Sequence, residues 1–330
     1  MVFCQYFKQC GGCIYQDLEL NDYYQLKENF ILTSLNQNGF KLDQITIVKT
    51  TQNQRRRCHF KVEDNQICLT KLHSNQLVKI ENCPILEQKI NNLIPKINQF
   101  LREINDSKIT DIFINKIDEN IVVIFENSSS KQEIQQFLVQ NNLKNGNLEA
   151  KINDFTLKLP KKCFIQATKL ASDFFNQIII KNTQKSDKIL DLFSGSGFYA
   201  FNLAKIADKI DCYEVDKSST SSITKSAKIN HLSNKIKSFE RNLFTNPLDF
   251  RIIDEFDLAI INPPRLGAVS QIKQLSKSNI KTIIAIYCDV KNFARDTKIL
   301  LENNFYINEI YAIDQFYMTK HIEIIAVFRK

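Results

Sequence analysis

From residue 161 onward the sequence predicts an α/β domain, a Rossmann-like, mostly parallel sheet ending in an antiparallel hairpin; before it, residues 1–160 read as a smaller α+β cysteine-rich domain. Three observations lead there. Apolar runs of strand length, "KILDLF", "KIDCYEV", "FDLAIIN" and "KTIIAIYC", alternate with segments of helical periodicity, the pattern of a parallel sheet covered by helices on both faces. The last two runs, "FYINEIYAI" and "HIEIIAVF", are separated only by "DQFYMTK", too short for a helical crossover and therefore a hairpin. Before residue 160 the pattern is less regular: a cysteine-rich start, a helix near residues 20 to 37, and short strands at "HFKVED" and "NIVVIFE".

Composition narrows the class. A chain of 330 residues, 43% hydrophobic, has enough apolar surface to build two cores. Lysine and arginine outnumber aspartate and glutamate by 44 to 36, and the resulting charge of +8 with a pI near 8.9 favours an anionic partner such as nucleic acid. No apolar run is long enough to cross a bilayer, and the start "MVFCQYFKQCGGC" lacks the order of a secretory signal, so a cytoplasmic protein without a membrane partner is expected. In that compartment nine cysteines point to metal binding or catalysis rather than to disulfides. No internal repeat is present, and "KNGNLEA", residues 144–150, reads as a turn.

Glycine is scarce. Of the seven in the chain, four fall in Gly11-Gly12 and Gly195-x-Gly197, where close backbone approach is to be expected. "KILDLFSGSGFYAFNLA" is a strand, a glycine loop and a helix, so the loop backbone can meet a ligand at the positive end of the helix. Asp191 closes that strand, and Glu214 in "CYEVD" ends the next one, where a carboxylate accepts from ribose hydroxyls. Downstream, "DLAIINPPRLGA" puts Asn262-Pro263-Pro264-Arg265 at the end of a buried strand; the prolines cannot donate ladder bonds and turn the chain out of the sheet. Ligands of open α/β sheets bind at the carboxyl ends of the strands. Cys288 ends the following strand at that edge, and an antiparallel last strand brings its own beginning, Glu323, to the same place.

These residues resemble the S-adenosylmethionine-dependent RNA uracil-C5 methyltransferases. The likeness runs in order through "FIQAT", "DLFSGSG", "NPPR", "YCDVKNFARD" and "DQFYMTKHIE", residues 164 to 323, and the D-x-F-x-G-x-G order differs from the G-x-G-x-x-G of dinucleotide binders. The resemblance implies that S-adenosylmethionine is held by Gln166, Asp191, Phe193, Gly195, Gly197, Glu214 and Asn262. It further implies that Cys288 adds to C6 of uracil, that Glu323 removes the C5 proton and that Arg265 meets the RNA. Uracil C5 is a poor nucleophile, and thiolate addition at C6 converts the ring to an enolate whose C5 can attack a methyl sulfonium. A helix beginning near Asp289 is expected to lower the thiol pKa. The chain departs from the family at Asn262 and Thr168, where aspartate and asparagine are usual, and at Asn242, where an acidic residue near the adenine is usual.

Cys4, Cys10 and Cys13 form C-x5-C-G-G-C, with Cys83 the nearest later candidate for a fourth ligand. Spacing alone leaves zinc and iron-sulfur open; the resemblance to iron-sulfur members of the family implies a [4Fe-4S] cluster. Cys58, Cys68, Cys163 and Cys212 fit no ligand pattern and read as packing residues. In "QRRRCHFKV", strand alternation puts Arg55 and Arg57 on one side, where both can contact phosphates, and Arg56 on the other. A cysteine cluster without a preceding β-barrel domain resembles the enzymes that methylate 23S ribosomal RNA more than those acting on tRNA, and a monomer is expected. Two other readings use the same residues. One is an amino-methyltransferase with an N-P-P-Y-like site, which would not need Cys288; the other is an RNA-binding protein whose catalytic domain has decayed, for which Asn262 and Thr168 speak.

Overall fold

The computed structural model describes residues 2–146 and 148–330, so the turn expected at 144–150 lies partly outside the described residues, at Asn147. A cysteine-bearing loop leads into α1 (Leu20–Asn36) and β1 (Thr46–Val48), then β2 (Arg57–Glu63), β3 (Gln66–Thr70), β4 (Leu77–Lys79), α2 (Gln88–Asn91), α3 (Leu93–Ile104), β5 (Asp111–Ile117), β6 (Asn120–Phe125) and α4 (Lys131–Gln140). A hairpin, β7 (Glu149–Ile152) and β8 (Phe155–Lys158), follows. The remaining chain runs α5 (Lys169–Lys181), β9 (Lys188–Leu192), α6 (Phe198–Leu203), β10 (Lys209–Glu214), α7 (Lys217–Ile229), β11 (Ile236–Glu240), α8 (Phe250–Ile253), β12 (Leu258–Ile261), α9 (Val269–Lys277), β13 (Thr282–Tyr287), α10 (Val290–Leu301), β14 (Tyr306–Ile313) and β15 (Glu323–Arg329).

Eight strands form the larger sheet in the order β1-β14-β15-β13-β12-β9-β10-β11. Neighbours are parallel except that β15 runs antiparallel to both β13 and β14. Strands β12 and β13 are buried along their whole length, which is why they read as continuous rather than alternating apolar runs. Side chains such as Phe175, Phe201 and Ile325 fill one face of the sheet, and Phe293, Phe328 and Ile272 fill the other. The pattern "IKSFE" of β11 carries too few apolar residues to announce itself.

The smaller sheet, β4-β3-β2-β5-β6, is antiparallel and packs on α3 through its own core, including Phe60, Ile97 and Ile112. Its other face does not stop at a boundary. Ile117, Val122 and Ile124 join the core that contains the β7-β8 hairpin and α5.

A division at residue 160 therefore needs correction at its N-terminal end. Strand β1 is the edge strand of the large sheet, parallel to β14, and Ile31, Leu35 and Ile45 belong to the same core as Phe293 and Phe328. Physically, β14 would otherwise be an exposed edge. A three-residue strand is too short to be read from sequence. Among the described residues no helix is long and apolar enough to cross a membrane.

Ile325 is fully buried in β15, between β13 and β14. Ile325→Ala should lower unfolding free energy by about 2–5 kcal/mol, measured as a lower urea midpoint with an unchanged slope.

Candidate active site

The antiparallel β15 creates the site. Tyr287 pairs with Ile324, and continuing that register by one residue sets Cys288 beside Glu323. Glu323 is only 4% exposed. Burial pushes its carboxyl up to about 7, against the opposing pull of a hydrogen bond from Gln315 and the charge of Arg57. A carboxyl poised there can take or release a proton near neutrality.

Cys288 is half-buried and, contrary to the expectation of a thiol lowered by the following helix, its pKa is raised. Burial is the main cause and the Glu323 charge the next. The helix end is occupied: Asp289 caps α10 by accepting from the Asn292 N–H at 3.0 Å, and its carboxylate offsets the positive helix terminus. Arg265 works the other way; its Nε lies 3.5 Å from an Asp289 oxygen and its charge favours the thiolate.

A polar floor lies beneath this pair. Gln315 Nε2 donates to Gln166 Oε1 at 2.8 Å, the Ala167 N–H donates to Gln315 Oε1 at 2.7 Å, and Gln166 Nε2 donates to the Tyr199 hydroxyl at 3.3 Å. Arg56 holds the Gln166 carbonyl through its Nε at 3.0 Å. Sequence reasoning singled out Gln166 and Glu323 but assigned no role to Gln315 or Tyr199. Gln315 lies within a quoted motif, but only the tertiary fold shows what it touches.

The glycine loop forms a cradle beside the pair. The Gly195 N–H donates to Glu214 Oε2 at 2.9 Å, and Glu214 Oε1 accepts from Val215 and Asp216 N–H groups at 2.7 and 3.0 Å. Gly195 has φ +52° and a Cβ there would meet nothing within 4 Å, whereas a Cβ on Gly197, at φ +78°, would stand 3.0 Å from Ile223. Phe193 is also left-handed at φ 58° and its ring packs 5.3 Å from Phe244. Among the described residues, both oxygens of fully buried Asp191 and the hydroxyls of Ser194 and Ser196 have no hydrogen-bond partner. Burial and the Glu214 charge push the Asp191 carboxyl up to about 7. Orphaned donors and acceptors around an open glycine loop suit a polar nucleoside ligand.

Asn262 follows β12, with its N–H bonded to Leu192 O at 3.2 Å. The turn after it is gripped by α10. Asn292 Nδ2 donates to Arg265 O at 2.7 Å, Arg295 Nη2 to Leu266 O at 3.1 Å, and buried Asp296 accepts from the Ala268 N–H at 2.8 Å and the Tyr287 hydroxyl at 2.9 Å. The other two departures from the family serve local structure: Thr168 caps α5 by accepting from the Ala171 N–H, and Asn242 accepts from the Phe244 N–H.

Cys4, Cys10, Cys13 and Cys83 line a single cavity of about 500 Å³ with Arg55. Cys58, expected only to pack, lines it as well. Burial and the neighbouring Cys10 and Cys4 charges push Cys13 up to about 11, and burial and Cys13 push Cys83 up to about 12. Among the described residues no group of three or more His, Cys, Asp or Glu side chains is arranged to hold a single metal ion. Arg55 also reaches toward the catalytic side, 5.6 Å from the centre of the Phe316 ring, while Arg57 lies 4.6 Å over Phe164, which is 50% exposed. Arg55 and Arg57 thus share one side and Arg56 the other.

The family model of the tRNA (uracil-5-)-methyltransferases matches residues 113–330. The chain belongs to this family. It is an RNA methyltransferase. Among its relatives, an uncharacterized RNA methyltransferase of Mesorhizobium japonicum is 25% identical over 99% of this chain and 84% of its own length. The 23S rRNA (uracil(1939)-C(5))-methyltransferase of Legionella pneumophila is 26% identical over 99% and 83%. In three dimensions the chain is similar to the Pyrococcus abyssi tRNA (uracil-54, C5)-methyltransferase, solved with S-adenosyl-L-homocysteine, at a TM-score of 0.74 over 96% of this chain and 85% of that one, with 19% identity.

In this methyltransferase the buried Glu323 has a consequence for stability. Its carboxyl is raised from 4.5 to about 7 on folding, so ionising it in the fold costs about 3 kcal/mol. That cost is absent below pH 4.5, grows between 4.5 and 7, and is complete above. Glu323→Gln should therefore be more stable than wild type at pH 8 and lose that advantage by pH 5, compared by urea unfolding at the two pH values.

Proposed function

We propose that the protein transfers a methyl group from S-adenosylmethionine to C5 of a uridine in RNA, with 23S ribosomal RNA favoured, through a covalent adduct between Cys288 and uracil C6. The observation that carries this reading is the neighbouring placement of half-buried Cys288 and buried Glu323 at one sheet edge. Methylation of an exocyclic amine needs neither residue. The Cys288 thiol loses its proton to solvent and the thiolate adds to C6, moving electron density to the ring carbonyl. C5 then takes the methyl group of S-adenosylmethionine as the sulfonium S–CH3 bond breaks, leaving S-adenosylhomocysteine. Glu323 removes the C5 proton, the C6–S bond breaks, and thiolate and 5-methyluridine are regenerated.

The open loop at Gly195, Gly197 and Phe193, the carboxylates of Glu214 and Asp191, and the amides of Gln166 and Asn262 are the groups suited to hold the methyl donor. At the mouth, Arg265 with the Arg57–Phe164 and Arg55–Phe316 pairs offers cations and aromatic faces to phosphates and unstacked bases. The relative that acts on 23S ribosomal RNA supports that target.

The residues around the cysteine cavity fit a [4Fe-4S] cluster held by Cys4, Cys10, Cys13 and Cys83. Burial, and the other cysteines of the set, oppose ionisation of the Cys10, Cys13 and Cys83 thiols, a donor set that a cationic centre would satisfy. The cluster would supply a structural brace there; the transfer chemistry requires no electron from it. Protein purified without oxygen should carry about four iron and four sulfide per chain and lose both in Cys13→Ala; about one zinc per chain instead would establish the zinc site.

Transfer of labelled methyl to unmodified ribosomal RNA and tRNA, with the product nucleoside identified, tests the reaction. Cys288→Ala should form no 5-methyluridine, whereas Glu323→Gln should accumulate an RNA–protein complex that survives denaturation. Breakdown of the RNA adduct, the step that needs the Glu323 carboxylate, should slow about tenfold per pH unit below a midpoint near 7. If the product were an N-methylated base formed equally well by Cys288→Ala, the uracil reading would be wrong.

A further inference from the structure

Lys27 of α1 is buried, with 1% of its surface exposed, and Asp314, at the start of the loop between β14 and β15, is fully buried. The two are ion-paired. The Tyr23 hydroxyl donates to the other Asp314 oxygen at 2.6 Å and accepts from the Met318 N–H at 2.9 Å. Lys27 also donates to the His321 carbonyl at 2.7 Å. The Thr50 hydroxyl donates to the Asp314 carbonyl, and the Asp314 N–H donates to Val48 O at 3.0 Å. Tyr23 and Lys27, one turn apart on α1, with β1 and its exit, therefore hold the loop at 314, 318 and 321, both ends and the middle. Gln315 is the residue next to Asp314, and Glu323 begins the strand that the loop feeds.

We propose that Lys27, with Tyr23, is a positioning residue for methyl transfer: its ion pair with Asp314 fixes the 314–322 loop, and with it Gln315, which holds Gln166 and Ala167, and Glu323, with which the strand after the loop begins. The proposal rests on the reading of Glu323 as the general base. Lys27 lies outside the matched segment 113–330, and no motif of the sequence marks it.

Energetics favour positioning over mere stability. A buried ion pair is worth little against a hydrophobic replacement of the same volume, so what distinguishes it is the geometry it imposes. Gln315 has no slack in that geometry. Its carbonyl is occupied by the Ala167 N–H and its amide by Gln166. A shift of the Asp314 backbone breaks one of these bonds. The groups facing Glu323 are Gln315 from the loop, Arg57 from β2, Tyr199 from α6 and Cys288 after β13. Of these, only Gln315 belongs to the segment that Lys27 holds. Because the polar Gln315 side chain favours the ionised form of Glu323, moving it away shifts the protonation of Glu323 to higher pH.

The test compares wild type, Lys27→Met, Tyr23→Phe and Glu323→Gln in single-turnover methyl transfer to RNA across pH 5.5 to 9, alongside thermal midpoints. Tyr23→Phe removes only the hydroxyl and remains informative if Lys27→Met does not fold. In the folded variant the acid limb should move up by half a unit or more. Product release at pH 7 should fall at least threefold, and an RNA adduct should persist, as in Glu323→Gln. A variant with a lowered melting midpoint, an unmoved limb and unchanged adduct breakdown would overturn the inference while leaving the base assignment intact. Absence of an acid limb in wild type, or of an adduct in Glu323→Gln, would overturn the base assignment itself and the inference with it.

Discussion

The insertion of β15 antiparallel between β13 and β14 is the constraint on which the site depends. In a purely parallel sheet only carboxyl ends of strands meet at the ligand edge. Reversing one strand brings an amino end there, so that the first residue of β15, Glu323, stands beside the residue that follows β13, Cys288. The reversal also fixes what must join them. Because β14 and β15 pair through most of their length, the 314–322 loop must turn at that edge, and its Gln315 joins the polar floor with Gln166 and Ala167.

Burial then sets the chemistry. The same low-polarity surroundings that raise Glu323 toward neutrality raise the Cys288 thiol, and each carboxylate or thiolate disfavours the other. The pair therefore rests uncharged more readily than either group would alone in water. Arg57 and Arg265 stand on its two sides and pull in the opposite direction. A phosphate backbone entering the mouth would compete for those arginines, so substrate and catalytic ionisation are linked through the same cations.

Much of this was legible in sequence. The strands of the large sheet, the hairpin and the convergence of Asn262, Cys288 and Glu323 follow from apolar runs, two prolines and one short connection. What was not legible came from tertiary context. The three-residue β1 and the face of α1 show their destination only once the β14 edge needs a cover. The depressed thiol pKa expected from a helix start fails because Asp289 caps that helix, an effect that depends on side-chain direction. Gln315, Tyr199 and Lys27 have ordinary sequence surroundings; their roles exist only through contacts between segments far apart in the chain. Cys58 belongs to no spacing pattern because β2, rather than the N-terminal loop, delivers it to the cavity.

The N-terminal cysteine segment and the catalytic loop are also a single structural unit. Ile14 and Tyr15 N–H groups both donate to Met318 O, at 2.8 and 3.2 Å, and Phe3 stacks on Tyr317 with ring centres 6.1 Å apart. Met318 is therefore held from three directions, by the cysteine loop through its carbonyl, by Tyr23 through its N–H, and by the buried cluster of Tyr23, Tyr24 and Met318. Short loops with little regular structure, such as residues 4–18, gain order chiefly from what they are tied to. One tie is the cysteine cavity and the other is the loop that precedes Glu323. The glycine pair Gly11-Gly12 lets the chain reverse between them: the Gly11 N–H bonds to Thr70 O at 2.9 Å, and a Cβ on Gly11 would press to 3.2 Å against the backbone at 70 and 72. The cysteine segment and the loop that precedes Glu323 are thus joined by backbone hydrogen bonds, and whatever braces the cysteines also braces that loop.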